Sequence, residues 1–135
     1  MIVVDAGVWV RSLIDAGPEG DACRNVLTGD PDWLAPSHAP IEVLRTIRRY
    51  ESAGLLTTMS GDAFAAEVVE AAVRYIGPEP WLLQSVWQHR KNISPYDVPY
   101  VALALHHGIS LITLDNRLAR AAAAVGAVVL VPGSQ

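Results

Sequence analysis

Ile109-Ser110-Leu111-Ile112-Thr113-Leu114, closed by Asp115, decides the architecture. The run is dominated by Ile and Leu without an in/out alternation, so it reads as a strand covered on both faces, the hallmark of a parallel sheet. Ile2-Val3-Val4, closed by Asp5, and Val128 to Val131 repeat the pattern, and Trp33-Leu34-Ala35 is a shorter candidate strand. Between them lie segments of helical composition: Gly7 to Asp15, Gly20 to Leu27, Ile41 to Ala53, Ala63 to Tyr75, Trp81 to Arg90, Tyr96 to His107 and Arg117 to Val125. Strands alternating with helices predict an α/β chain, a three-layer α/β/α sandwich with a small parallel sheet flanked by helices.

The remaining sequence fits that frame. A chain of 135 residues is the size of one domain, 1–135, with enough material for a core. At 51% hydrophobic and 18% charged residues it is too apolar to be disordered. Gly17-Pro18, Gly29-Asp30-Pro31, Gly54, Ser60-Gly61, Gly77-Pro78-Glu79-Pro80 and Pro132-Gly133 punctuate the elements, and none forms a long linker. The opening apolar stretch is cut short by Asp5, with no basic leader and no cleavage site, and charges or prolines interrupt every run long enough to span a membrane. The expectation is a soluble, cytoplasmic protein with no membrane association. A single cysteine, Cys23, excludes an internal disulfide and is expected as a buried, inert thiol.

Charge narrows the function classes. A formal net charge of −4 excludes a simple basic nucleic-acid binder that neutralises many phosphates. Any such role must be local, with Arg45, Arg48 and Arg49 as one candidate patch and Arg117 with Arg120 as a second; a solvated helix face explains either equally well.

The acids are more informative. Asp5 and Asp115 each end a strand, so two carboxylates reach the same edge of the sheet, where open α/β folds bind ligands. Glu42 falls in the first turns of the helix after Trp33-Leu34-Ala35, behind Pro40, and can reach that edge. Asp97 opens a further helix behind Ser94 and Pro95. Two carboxylates ~5 Å apart repel by roughly 3 kcal/mol at an effective dielectric of 20, so a cluster of four needs a cation. Oxygen ligands alone suit Mg²⁺ or Mn²⁺, whereas zinc brings histidine or cysteine at set spacing. His106-His107, being adjacent, point to different sides of a helix and read as a polar helix end before Gly108. Singly, each acid also has a plain structural role open to it: Asp97 as the partner of Ser94 in a capping box, Asp5 and Asp115 as helix caps, Glu42 as a solvated position.

Taken together, Ile2-Val3-Val4-Asp5-Ala6-Gly7-Val8-Trp9-Val10, Ala35-Pro36-Ser37 through Glu42-Val43-Leu44-Arg45, Asn92-Ile93-Ser94-Pro95-Tyr96-Asp97 continuing to Tyr100-Val101-Ala102-Leu103-Ala104, and Thr113-Leu114-Asp115-Asn116-Arg117-Leu118-Ala119 resemble the PIN domain, and within it the VapC-type toxins of bacterial type II toxin–antitoxin pairs. The resemblance spans nearly the whole chain. It implies a metal-dependent endoribonuclease acting on single-stranded regions of RNA (tRNA, rRNA or mRNA), with Asp5, Glu42, Asp97 and Asp115 as catalytic residues holding Mg²⁺ (Mn²⁺ as an alternative). It also implies a homodimer neutralised by a cognate VapB-type antitoxin. Two positions depart from the pattern: Gly7 stands where the family commonly has Ser or Thr, and Pro99 falls inside the helix expected to start near Ser94, where it removes a backbone donor.

Trp33, Trp81 and Trp87 are candidates for base stacking, with core or dimer packing the better expectation. Other function classes fit less well. A phosphatase of the haloacid-dehalogenase type needs a second aspartate two residues after Asp5, and Gly7 stands there. A receiver-like phosphorelay domain needs a late lysine, and Lys91 is the only one. A catalytically degenerate PIN domain acting as a binding module remains a further alternative.

Overall fold

A computed structural model describes residues 1–134. In chain order the elements are β1 (Ile2–Val4), α1 (Ala6–Ile14), α2 (Pro18–Gly29), β2 (Trp33–Pro36), α3 (Ala39–Ser52), α4 (Thr58–Glu70), β3 (Val73–Ile76), α5 (Pro80–Gln88), α6 (Val98–His107), β4 (Ser110–Ile112), α7 (Asn116–Ala124) and β5 (Val129–Leu130). The five strands form one sheet in the order β3-β2-β1-β4-β5, and every pair is parallel. With all strands running one way, each return has to be made by helices, and these cover both faces as a three-layer sandwich.

The reading of β1 and β4 as strands covered on both faces holds. Val3, Val4, Leu111 and Ile112 are at most 2% exposed, so the middle of the two central strands' pairing is closed to solvent on both faces. One group of helices, α1 to α4, packs side by side, while α5 packs on α6 and α6 lies across β1, β2 and β4. α6 is almost wholly apolar for that reason: Val98 through Ala104 are all buried. Cys23 is buried without a disulfide, and Trp9 meets Trp33 edge to face at 6.1 Å. No helix among the described residues is long and apolar enough to cross a membrane.

Three expectations need correction. Val128 to Val131 is not a strand covered on both faces: β5 is only Val129–Leu130 on the edge of the sheet, and Val128 and Leu130 are exposed. Ala63 to Tyr75 is not one helix: α4 begins earlier, where the Thr57 hydroxyl accepts from the Ser60 N–H at 3.0 Å, and ends at Glu70. The chain then enters β3, which pairs Val73, Arg74, Tyr75 and Ile76 with Trp33, Leu34, Ala35 and Pro36. A free edge on β2 offers ladder partners that a further helical turn would leave unused, and this tertiary pairing outweighs local helical composition. Nor does Pro99 interrupt a helix. Ser94 to Asp97 form a turn, with the Asp97 and Val98 N–H groups donating to the Ser94 carbonyl at 3.1 and 3.0 Å, and α6 starts only at Val98. Pro99 therefore sits in the first turn, where its missing N–H costs no helix hydrogen bond.

The chain goes from β1 outward to β2 and β3, then crosses back to β4 on the other side of β1. β1 and β4 thus flank the point where the direction of winding reverses, and the crevice beyond their carboxyl ends is where such sheets take ligands.

Candidate active site

β1 and β4 pair as Ile2 with Ser110, Val3 with Leu111 and Val4 with Ile112. One residue further, the same register sets Asp5 beside Thr113, and the Asp5 N–H continues the ladder to the Ile112 carbonyl at 3.0 Å. Thr113 is fully buried and its hydroxyl has two uses. It donates to Asp5 Oδ2 at 2.7 Å and accepts from the Asp115 N–H at 3.1 Å. One side chain thereby registers two of the acids against each other.

Asp115 lies three residues beyond β4, not directly at its end, and caps α7, its Oδ1 accepting from the N–H groups of Arg117 at 3.0 Å and Leu118 at 3.1 Å. The capping role open to Asp115 is thus real, and it leaves Oδ2 unused. Asp5, by contrast, makes no side-chain cap to α1, and its interior oxygen is held by Thr113 instead. Glu42 sits one turn into α3, where its Oε1 accepts from the Tyr100 hydroxyl at 2.7 Å, and His38 Nε2 lies 3.5 Å from the same oxygen. Asp97 precedes α6 in the turn opened by Ser94, whose hydroxyl accepts from the Asp97 N–H at 3.2 Å. That is one half of a capping box.

These four acids come from four segments far apart in sequence, and they are close enough to feel one another. Burial is the main reason the Asp5 carboxyl is pushed up to about 6; the Thr113 hydrogen bond opposes this, and the charges of Asp97, Glu42 and Asp115 add to it. Asp97 is also raised, first by burial and then by Asp115, against the hydroxyl of Ser94 and the ring of His38. Burial disfavours the ionised form and like charges disfavour it again. No lysine or arginine makes an ion pair with Asp5, Glu42, Asp97 or Asp115 among the described residues. A divalent cation fits this donor set: oxygen ligands only, uncompensated negative charge, and for Asp5, Glu42 and Asp115 one oxygen already fixed by a donor with the other left over. Among the described residues no three acid, imidazole or thiol groups already enclose a single point, so the acids meet as neighbouring charges rather than as a closed cage.

The surroundings are asymmetric. A cleft of about 190 Å³ beside Asp97 and Asp115 is lined by Asn92, Ser94 and Arg117. On the side of Glu42 an apolar hollow of about 230 Å³ is bounded by His38, Tyr96, Ile76, Leu83 and Pro99. Arg45, Arg48 and Arg49 are exposed on α3, as is Arg120 on α7. The three tryptophans diverge. Trp33 is half-buried with its Nε1 donating to the Asp30 carbonyl, and Trp81 stacks on His106 with ring centroids 4.0 Å apart. Trp87 is 69% exposed beneath the Arg90 guanidinium, so packing into this chain's own core does not describe it. His106 and His107 end α6 at the left-handed Gly108, as a polar helix end.

Sequence reasoning missed three contributors, Thr113, Tyr100 and His38. A hydroxyl in the centre of an apolar strand or helix is the signal that marks the first two, because a buried O–H needs a partner. His38 carries no comparable signal.

Comparison with known proteins bears on the family and the fold. The PIN domain family matches residues 2–124. Ribonuclease VapC3 of Mycobacterium tuberculosis is 36% identical over 120 residues, covering 89% of this chain and 86% of the relative. In fold, the chain is similar to M. tuberculosis VapC20, described as a sarcin-ricin loop cleaving toxin, with a TM-score of 0.70 at 18% identity over 95% of this chain and 97% of the other. It is equally similar to VapBC2 of Rickettsia felis bound to a fragment of promoter DNA, with a TM-score of 0.70 at 11% identity over 98% and 99% of the two chains.

Proposed function

This chain belongs to the PIN-domain family, in its VapC ribonuclease branch, and from that premise we propose that it is a metal-dependent endoribonuclease that hydrolyses phosphodiester bonds in single-stranded RNA. The observation that supports this best is the meeting of Asp5, Glu42, Asp97 and Asp115 at the carboxyl edge of the sheet, with the Asp5 carboxyl pushed up to about 6 by burial and by the other three.

In this reading the four acids hold one or two Mg²⁺ or Mn²⁺ ions. Such an ion, when bound, acidifies a water molecule and neutralises charge on the phosphate. The chain's own residues do the rest. Thr113 keeps Asp5 and the Asp115 backbone in register and leaves Asp5 Oδ1 free of that bond. The α7 N–H groups of Arg117 and Leu118 hold Asp115 against rotation. Arg117, lining the cleft beside Asp97 and Asp115, offers a guanidinium to the phosphate flanking the scissile one. The products are a 3′-hydroxyl and a 5′-phosphate. A purely binding role is disfavoured by the acids themselves, since like charges gathered without a counter-ion weaken the fold.

The partners follow from the same branch. The chain works as a cytoplasmic homodimer and is silenced by a cognate VapB-type antitoxin that covers the acids with a basic side chain. The R. felis neighbour, VapBC2 bound to promoter DNA, supports such a pairing.

Cleavage of a pool of tRNA and other structured RNAs by purified protein with Mg²⁺, Mn²⁺ or EDTA, beside Asp97→Asn, tests the proposal. Metal-dependent cleavage that Asp97→Asn lacks is expected. Absence of cleavage by folded, antitoxin-free protein in either metal would overturn it in favour of the degenerate binding module.

A further inference from the structure

Glu42 differs from the other acids of the cluster in how it is held. Asp5 and Asp115 are fixed within the β1–β4 pairing and the α7 cap, whereas Glu42 projects from α3 on a longer side chain with more rotatable bonds. Its restraint comes from another layer of the molecule. Tyr100 lies 58 residues later on α6, is fully buried, and donates its hydroxyl to Glu42 Oε1 at 2.7 Å.

His38 cannot substitute for that donor. Its Nε2 stands 3.0 Å from the Tyr96 carbonyl, which can only accept, so a proton on Nε2 is directed there, and Glu42 Oε1 is farther away at 3.5 Å. The His38 ring instead meets Tyr100 edge-on, centroids 5.7 Å apart, and braces the phenol from the side. With Oε1 occupied by Tyr100, Oε2 is the Glu42 oxygen left for a ligand.

Packing does not explain the hydroxyl. Tyr100 belongs to the run from Val98 to Ala104 that is buried throughout, where a phenylalanine would fill the same space without a polar atom to satisfy.

We propose that Tyr100 is a positioning residue for the divalent-cation site, its hydroxyl fixing Glu42 so that Oε2 is the oxygen presented to the ion. This rests on the metal-site part of the proposed function and not on RNA cleavage. Donors behind metal-ligating carboxylates typically change metal affinity by roughly 10- to 100-fold when removed, and the low end is expected here because Glu42 is one ligand of four.

Mn²⁺ binding to the full chain without RNA, followed by electron paramagnetic resonance or calorimetry, tests this on the unsubstituted protein, Tyr100→Phe, Glu42→Gln and the double variant. Tyr100→Phe is expected to weaken Mn²⁺ binding by roughly tenfold, and to change nothing further once Glu42 is glutamine, because the hydroxyl acts only through that carboxylate. Unchanged binding in Tyr100→Phe, or an equal loss in the Glu42→Gln background, would overturn it, the latter showing that the ring acts through packing. If Tyr100→Phe does not fold, a Mg²⁺ titration of the unsubstituted protein followed at the Glu42 carboxyl carbon and the Tyr100 ring carbon bearing the hydroxyl decides the matter. Both signals are expected to shift together, and a silent Tyr100 would refute the coupling. Failure of the unsubstituted chain to bind Mn²⁺ would sink the metal site and this role together, whereas binding without RNA cleavage would sink only the nuclease reading.

Discussion

Replacing Asp5 with asparagine should make the metal-free protein more stable, in a way that depends on pH. The Asp5 carboxyl sits at about 6 against an ordinary 3.8, chiefly because β1 delivers it into the interior beside three other acids. At roughly 1.4 kcal/mol for each pH unit, the difference amounts to about 3 kcal/mol between its two protonation states. The sign follows from proton counting. Below pH 3.8 the group is protonated folded or unfolded and exerts no penalty; between 3.8 and about 6 the folded state holds the proton more tightly, so stability declines as pH rises; above about 6 the full penalty applies. Asparagine carries no charge at any of these values and its amide oxygen can still accept from Thr113. Thermal or urea unfolding in EDTA should therefore show the variant and the original chain nearly equal below pH 4 and about 3 kcal/mol apart at pH 7.5, or roughly 10 °C in Tm for a chain of this size. Equal stability at pH 7.5, or a gap of the same size at low pH, would show that the Asp5 charge is not under the strain the burial implies. Added Mg²⁺ should stabilise the original chain and leave Asp5→Asn unmoved.

Two further substitutions bear on the same region. Thr113→Val keeps the shape of a fully buried side chain but removes the donor to Asp5 and the acceptor for the Asp115 N–H; a loss of about 2 kcal/mol at pH 7.5 is expected in urea unfolding, shrinking as pH falls through about 6, where Asp5 of the folded chain takes up its proton. A side chain added at Gly7 meets only Asp5 Oδ2, at 3.9 Å, so Gly7→Ser should fold normally and place a hydroxyl beside that carboxylate. Its half-saturating Mg²⁺ concentration for RNA cleavage should fall by a few-fold, and an unchanged or higher value would mean that the missing hydroxyl is of no account.

The sheet was legible in the sequence where burial on both faces left an unbroken apolar run, as in Ile2-Val3-Val4 and the stretch before Asp115. It was not legible at Val73-Arg74-Tyr75-Ile76. That strand lies on the sheet's edge, with Arg74 and Tyr75 exposed, and no glycine or proline separates it from the apolar run of α4. Arg74 turns outward to bond both oxygens of Asp32 at 2.8 Å, a contact across 42 residues that no local pattern encodes. The placement of Asp97 was displaced slightly for a different reason: Ser94-Pro95 reads as a helix start, and the structure spends those residues on a turn before beginning the helix. At the acids, strand ends and helix starts carried the information for which carboxylates could meet. What holds them was hidden, because Thr113 and Tyr100 act across separations of 108 and 58 residues.

The β1–β4 pairing has a consequence for the life of the chain before it is finished. β1, which carries Asp5 at its end, is made well before β4, the strand it pairs with, and before Asp115, which completes the surroundings of Asp5. A nascent or prematurely ended chain has Asp5 and Glu42 alone, with neither the central ladder to hold them nor Asp115 to face them. The meeting of the acids is thus postponed by connectivity itself until β4 and Asp115 have been made.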